Sequence, residues 1–158
     1  MLASLEGSEF SALMRSEFWG LPLVLTVHVL GTAVVIGFVV ITSLRMLGLF
    51  ETIPYTSLRR LFPVIWVAIA VQVVSGFLLW MTKPTQYVVD GAFMLKLALV
   101  IAGIVLTSYF YGELKREGAS WEAAGAGSSR GNQFSAASLV VWCCALVAAR
   151  LTAYLGSF

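Results

Sequence analysis

Four apolar runs decide what this chain can fold into: Leu21 to Leu44, Leu61 to Met81, Ala92 to Tyr111 and Phe134 to Tyr154. Each supplies the roughly 20 residues that a helix needs to cross a hydrocarbon layer of ~30 Å. A backbone in lipid must satisfy its own N–H and C=O groups, and in an open chain only a helix does so. The expected fold is therefore all-α, an integral membrane four-helix bundle forming a single transmembrane domain. Of the 158 residues 59% are hydrophobic and only 11% charged, against about 45–50% and about 25% in a soluble domain. Most of the surface is thus built for lipid. The net charge of +2 and the lack of a basic patch interleaved with aromatics exclude nucleic acid as a partner.

The flanking segments fit this reading. Residues 1–17 mix Glu6, Glu9, Arg15 and Glu17 with Leu2, Leu5, Phe10, Leu13 and Met14, the pattern of a short amphipathic helix at the membrane interface. A basic start leading straight into an apolar stretch is missing, so the first span is expected to act as an uncleaved targeting signal. The connectors are Glu51 to Arg60, Thr82 to Gly91 and Gly112 to Gln133, the last with a GAGSSRG stretch that is flexible by composition. Trp19, Trp66, Trp80, Tyr87, Trp121 and Tyr154 mostly fall near span ends, as in an aromatic belt. Cys143 and Cys144 are adjacent on one span, point in different directions, and are expected to be small buried residues rather than a disulfide or metal pair.

Lysine and arginine set the orientation. Arg45, Arg59, Arg60, Lys115, Arg116 and Arg130 flank connectors one and three, against Arg15, Lys83 and Lys96 on the other side. Connectors one and three are expected in the cytoplasm and both termini outside.

Ionisable groups inside a span are costly and mark a functional site by default. The spans hold His28, Lys96 and Arg150, together with the neutral Gln72. At 1.5 Å per residue His28 lies roughly 10 Å from the outer end of its span, Lys96 and Arg150 roughly 6 Å, and Gln72 roughly 13 Å. All four fall in the outer half of the membrane. His28 shares a helix face with Gly31 and Thr32, Gln72 with Ser75 and Gly76, and Lys96 with Gly103. Small residues there let helices approach closely or leave room for a flat cofactor. Separate roles stand beside a joint one: a histidine bonded to a neighbouring helix, cations reaching for lipid headgroups, a glutamine as interhelical glue. The carboxylates Glu51, Asp90, Glu113, Glu117 and Glu122 sit in connectors and are expected to be solvated, which leaves no buried proton relay.

As one site, these residues suit haem b. His28 would ligate the iron, and Lys96 and Arg150 would pair with the propionates nearer the surface. Gln72, Gly31 and Gly76 would complete the walls. The same cations would also suit a lipid phosphate or a quinone. The chain has one histidine, so Met81 or Met94, a five-coordinate iron or a second protomer would complete the coordination.

The segments TVHVLGTAVVIGFVVITSLRMLGL, LRRLFPVIWVAIAVQVVSGFLLW, AFMLKLALVIAGI and SLVVWCCALVAARLTAY resemble an uncharacterised family of bacterial four-helix membrane proteins. That family is distantly similar to copper-resistance D-type proteins and small cytochrome b-type subunits. The resemblance runs from about Trp19 to Tyr154 and implies a bacterial inner (cytoplasmic) membrane. Its relatives often carry a histidine where this chain has Tyr111. The expected function is haem b binding for electron transfer. The alternatives are a quinone site, or no cofactor and a non-catalytic accessory subunit of a larger membrane complex or homo-oligomer. Copper transport is a third, resting on the resemblance and scattered methionines.

Overall fold

The computed structural model of this protein describes residues 7–16, 19–124 and 127–155. Expectations for residues 1–6 and Glu17, and for the side chains of Phe10, Met14, Arg15 and Tyr154, lie outside the described residues. Among the described residues six helices follow one another: α1 Glu9–Ser16, α2 Gly20–Met46, α3 Tyr55–Thr82, α4 Pro84–Val89, α5 Gly91–Ala124 and α6 Ser129–Leu155. Among the described residues α2, α3, α5 and α6 are the helices long and apolar enough to span a membrane. Each packs on two others in a ring, α2 on α3 and α6, and α5 on α3 and α6. The fold is an all-α four-helix membrane bundle.

Local chemistry sets the helix ends. Ser8 accepts the Ser11 N–H at 3.3 Å and so caps the start of α1. The Ser11 hydroxyl donates to the Thr82 carbonyl at 3.4 Å, which ties α1 to the last turn of α3. α2 stops at Gly48, whose φ of 85° favours glycine, with the Leu49 N–H closing back onto the Leu44 carbonyl at 2.9 Å. α3 starts directly after Pro54, so Arg59 and Arg60 lie within that helix.

The third connector differs most from expectation. α5 does not end near Tyr111 but continues to Ala124. Leu114, Gly118 and Trp121 are buried at helical spacing, while Lys115 and Arg116 face outward. This is an amphipathic stripe, invisible to a search for unbroken apolar length. Trp121 is accordingly a core residue, 4% exposed, with its ring 5.8 Å from that of Tyr55, rather than part of an aromatic belt. Several connector carboxylates bond rather than merely hydrate. Glu122 accepts the Tyr55 N–H at 2.7 Å, Asp90 the Ala92 N–H at 2.9 Å, and Glu117 the Trp121 indole N–H at 3.3 Å.

The core is concentrated at the end of the bundle where α2 finishes and α3 begins, called here the Met46 end. Phe62 is its hub, with ring centroids of Phe38 at 4.9 Å, Phe110 at 6.3 Å and Tyr111 at 4.4 Å. Met46, Tyr55, Leu58, Leu114 and Trp121 extend it. Arg45 is also buried here. Its Nε donates to the Ile53 carbonyl at 2.7 Å and its guanidinium lies 4.2 Å from the Tyr55 ring centroid, a cation–π contact. Cys143 and Cys144 are free and exposed, contrary to the buried placement expected. They fall between the buried Trp142 and Ala145, on the outward face of α6.

Candidate functional site

At the opposite end, where His28 lies, three helices line a cavity of about 400 Å³. α2 contributes His28; α3 contributes Gln72, Val73, Gly76, Phe77 and Trp80; α5 contributes Phe93, Lys96, Leu97 and Val100. The polar members stand on the same helix stripes that build the core further along. On α2, His28 leads into the buried Gly31, Val35, Phe38, Thr42 and Met46. On α3, the buried Ile65 and Ala68 lead to the equally buried Gln72 and Ser75. On α5, Lys96 and Val100 precede the buried Gly103, Thr107, Phe110 and Leu114. A three-to-four residue spacing keeps one face. His28, Gln72 and Lys96 therefore lie on the inward stripes of their helices, Gln72 buried and His28 and Lys96 half-buried.

Hydrogen bonds fix the imidazole. His28 Nδ1 lies 2.9 Å from Ser75 Oγ, and the Ser75 hydroxyl donates to the Val71 carbonyl at 2.6 Å. With that proton committed, Ser75 Oγ accepts and Nδ1 carries the hydrogen. Nε2 is then the lone-pair nitrogen. Thr32 Oγ1 sits 2.8 Å from the His28 carbonyl and 2.8 Å from the Gln72 side-chain oxygen. One hydroxyl proton cannot serve both. Turning the Gln72 amide over lets its NH₂ donate to Thr32, which donates to the His28 carbonyl. Either way α2 and α3 are joined on both sides of the histidine.

The glycines serve this contact. A Cβ on Gly76 would sit 3.1 Å from His28 Cε1, and one on Gly31 would sit 3.4 Å from Gln72 Oε1 and 3.5 Å from the Ala68 carbonyl. Gly76, on the cavity wall, makes room for the imidazole, and Gly31 for the close approach of α3. Gly103 belongs elsewhere. Its Cβ would come within 2.7 Å of the Trp142 ring, so it seats α6 against α5.

Arg150 is not brought to the cavity. The buried stripe of α6 runs through Ser135, Ser138, Trp142, Ala145 and Ala148. Two residues past Ala148, at 3.6 residues per turn, lies about 200° round the helix, and Arg150 is exposed there. Depth along a span says nothing about direction around it, which is why the sequence grouped Arg150 with the others. Met81 and Met94 are not among the walls, and Tyr111 is packed on Phe62 at the other end. Ser75, which fixes the imidazole, had been marked only as a small residue on the Gln72 face. Of the aromatic walls, Phe77 and Phe93 carry no sequence signal beyond their apolarity, and Trp80 reads in the sequence only as part of an aromatic belt.

The arrangement offers one nitrogen lone pair and one ammonium in an apolar, aromatic-walled space. Its volume is within the ~300–1,000 Å³ common for small-molecule and cofactor sites. Among the described residues no group of three or more His, Cys, Asp or Glu side chains is placed to hold a metal ion; axial ligation of haem iron by a histidine needs no such group. Comparison with family models, curated proteins and solved structures gives no match for this chain.

Proposed function

We propose that this protein binds haem b in the His28 cavity and serves electron transfer in a bacterial cytoplasmic membrane, with both termini outside. The observation that carries the reading is the state of His28: half-buried on the inward stripe of its helix, with Nδ1–H held by Ser75 and the Nε2 lone pair left for a ligand at a 400 Å³ cavity. Metal-bound histidines commonly have their second nitrogen anchored in this way, which fixes tautomer and ring direction. Lys96 supplies a cation for a propionate. Haem, when bound, supplies the one-electron chemistry; the chain's part is to ligate, to neutralise charge and to exclude water with Phe77, Trp80 and Phe93. Arg150 falls outside the site, and His28 is the single imidazole in the lining that would hold the iron.

A second reading, quinone binding, has its own support. Val73, Phe77 and Leu97 line the cavity and are respectively 54%, 55% and 46% exposed, so the cavity opens sideways, toward the lipid in a membrane. Lys96 would donate to a quinone oxygen and His28 Nε2 would accept from a quinol hydroxyl.

The visible spectrum of the intact protein, purified from haem-replete cells, is the test. A Soret band that disappears in His28→Ala, with the variant still inserted and folded, supports haem. A colourless wild type whose solvent extract contains quinone moves the site to the second reading. A colourless wild type without quinone leaves the accessory-subunit role.

A further inference from the structure

We infer that the bundle carries a binding site for a single water molecule between α2, α5 and α6, bridging Thr42 Oγ1 and Ser135 Oγ. The site is separate from the His28 cavity and lies among the packed side chains toward the Met46 end. It does not rest on the proposed cofactor.

The argument starts from what hydroxyls do elsewhere in the molecule. In a helix, Ser and Thr commonly donate to the carbonyl four residues back. Here Thr26 does so to Pro22 at 2.7 Å, Thr32 to His28 at 2.8 Å, Ser75 to Val71 at 2.6 Å, Thr107 to Gly103 at 2.8 Å, Ser108 to Ile104 at 2.7 Å and Thr152 to Ala148 at 3.0 Å. Thr42 and Ser135 depart from this habit. Both are buried, at 4% and 2% exposure, and their hydroxyl oxygens have no hydrogen-bond partner among the described residues. Buried polar groups are satisfied as a rule, and an orphan requires an explanation.

The two orphans line the same void, about 10 Å³ in volume and bounded also by Thr107, Ser138, Phe38 and Phe110. That is the space of about one water, and a buried water needs two to four polar partners. Thr42 and Ser135 supply two, and the hydroxyl of Ser138 is a third group on the wall. Thr107 is already engaged: it donates to Gly103 and lies 3.4 Å from the Trp142 indole N–H, which donates to it. No lysine, arginine or carboxylate lines the void, so its chemistry suits a neutral, two-way hydrogen-bonding molecule and neither a bare cation nor an anion. Beside it Ser43 donates to the Ser135 carbonyl at 3.0 Å. The water thus extends an existing polar contact between α2 and α6.

A high-resolution structure of the full chain in lipid nanodiscs tests the site directly. The expected result is one ordered water within hydrogen-bonding distance of both oxygens. Hydroxyls turned back onto the Phe38 and Gly131 carbonyls, with no density between them, would overturn it. Thermal unfolding of Thr42→Val, Ser135→Ala and the double variant gives an independent answer. A shared water makes the changes strongly non-additive, because either substitution disrupts the same bridge. Additive shifts in the midpoint mean two independent hydroxyls and reject the bridge. Thr42→Ser, which keeps the oxygen, is expected to retain the coupling to Ser135.

Discussion

Gly76 is the residue on which the placement of the imidazole depends. An added Cβ would sit 3.1 Å from His28 Cε1, so the ring would have to give by a few tenths of an ångström against its bond to Ser75. Gly76→Ala is expected to cost about 1–3 kcal/mol, the usual range for overpacking, and to remove most of the His28-dependent absorbance from protein that still folds. Ser75→Ala acts more gently. It leaves the ring in place but frees the tautomer, and loss of such an outer partner commonly weakens metal affinity about 10–100-fold. Titration of the apoprotein with hemin measures it. Arg150→Ala is expected to leave that titration unchanged, because the side chain points away from the cavity; a clear loss would return Arg150 to the site. Lys96→Met separates the two readings of the lysine. A propionate partner predicts weaker hemin binding, whereas a side chain serving only lipid headgroups predicts none.

Among the elements, α5 carries the clearest stability prediction. Its continuation beyond Tyr111 is held by Leu114, Gly118 and Trp121, and Trp121 also packs on Tyr55. Trp121→Ala is expected to destabilise the bundle by about 3–5 kcal/mol, the range for truncating a large buried aromatic, as measured by thermal or chemical unfolding in detergent. The four spans could be read from the sequence because lipid imposes one requirement, an unbroken apolar length. The extension of α5 could not, because a helix that leaves the lipid is amphipathic and alternates charge with apolar contact. The same division applies to the cavity. His28, Gln72 and Lys96 stand out by depth and by the cost of their burial, and the structure places them around one cavity. Arg150 has a similar depth and the wrong azimuth. Arg45 stood out only as an orientation charge, because nothing in its spacing announces the Tyr55 ring beneath it.

For the whole molecule, the bond between Glu122 and the Tyr55 backbone puts the first and third connectors at the same end. In the proposed orientation, which follows the lysine and arginine bias, that end faces the cytoplasm. Reporters fused after Glu51 and after Gly127 are expected to give cytoplasmic signals, and a periplasmic signal at either rejects the orientation. The uneven packing of the bundle has a further consequence. Its aromatic cluster lies around Phe62, while the cavity walls Val73, Phe77 and Leu97 are largely exposed. Such a body behaves like tongs riveted at one end: the arms set what is gripped and the rivet sets whether there are tongs at all. The size and polarity of the occupant are therefore adjustable through Val73, Phe77 and Leu97, independently of the residues that keep the chain folded.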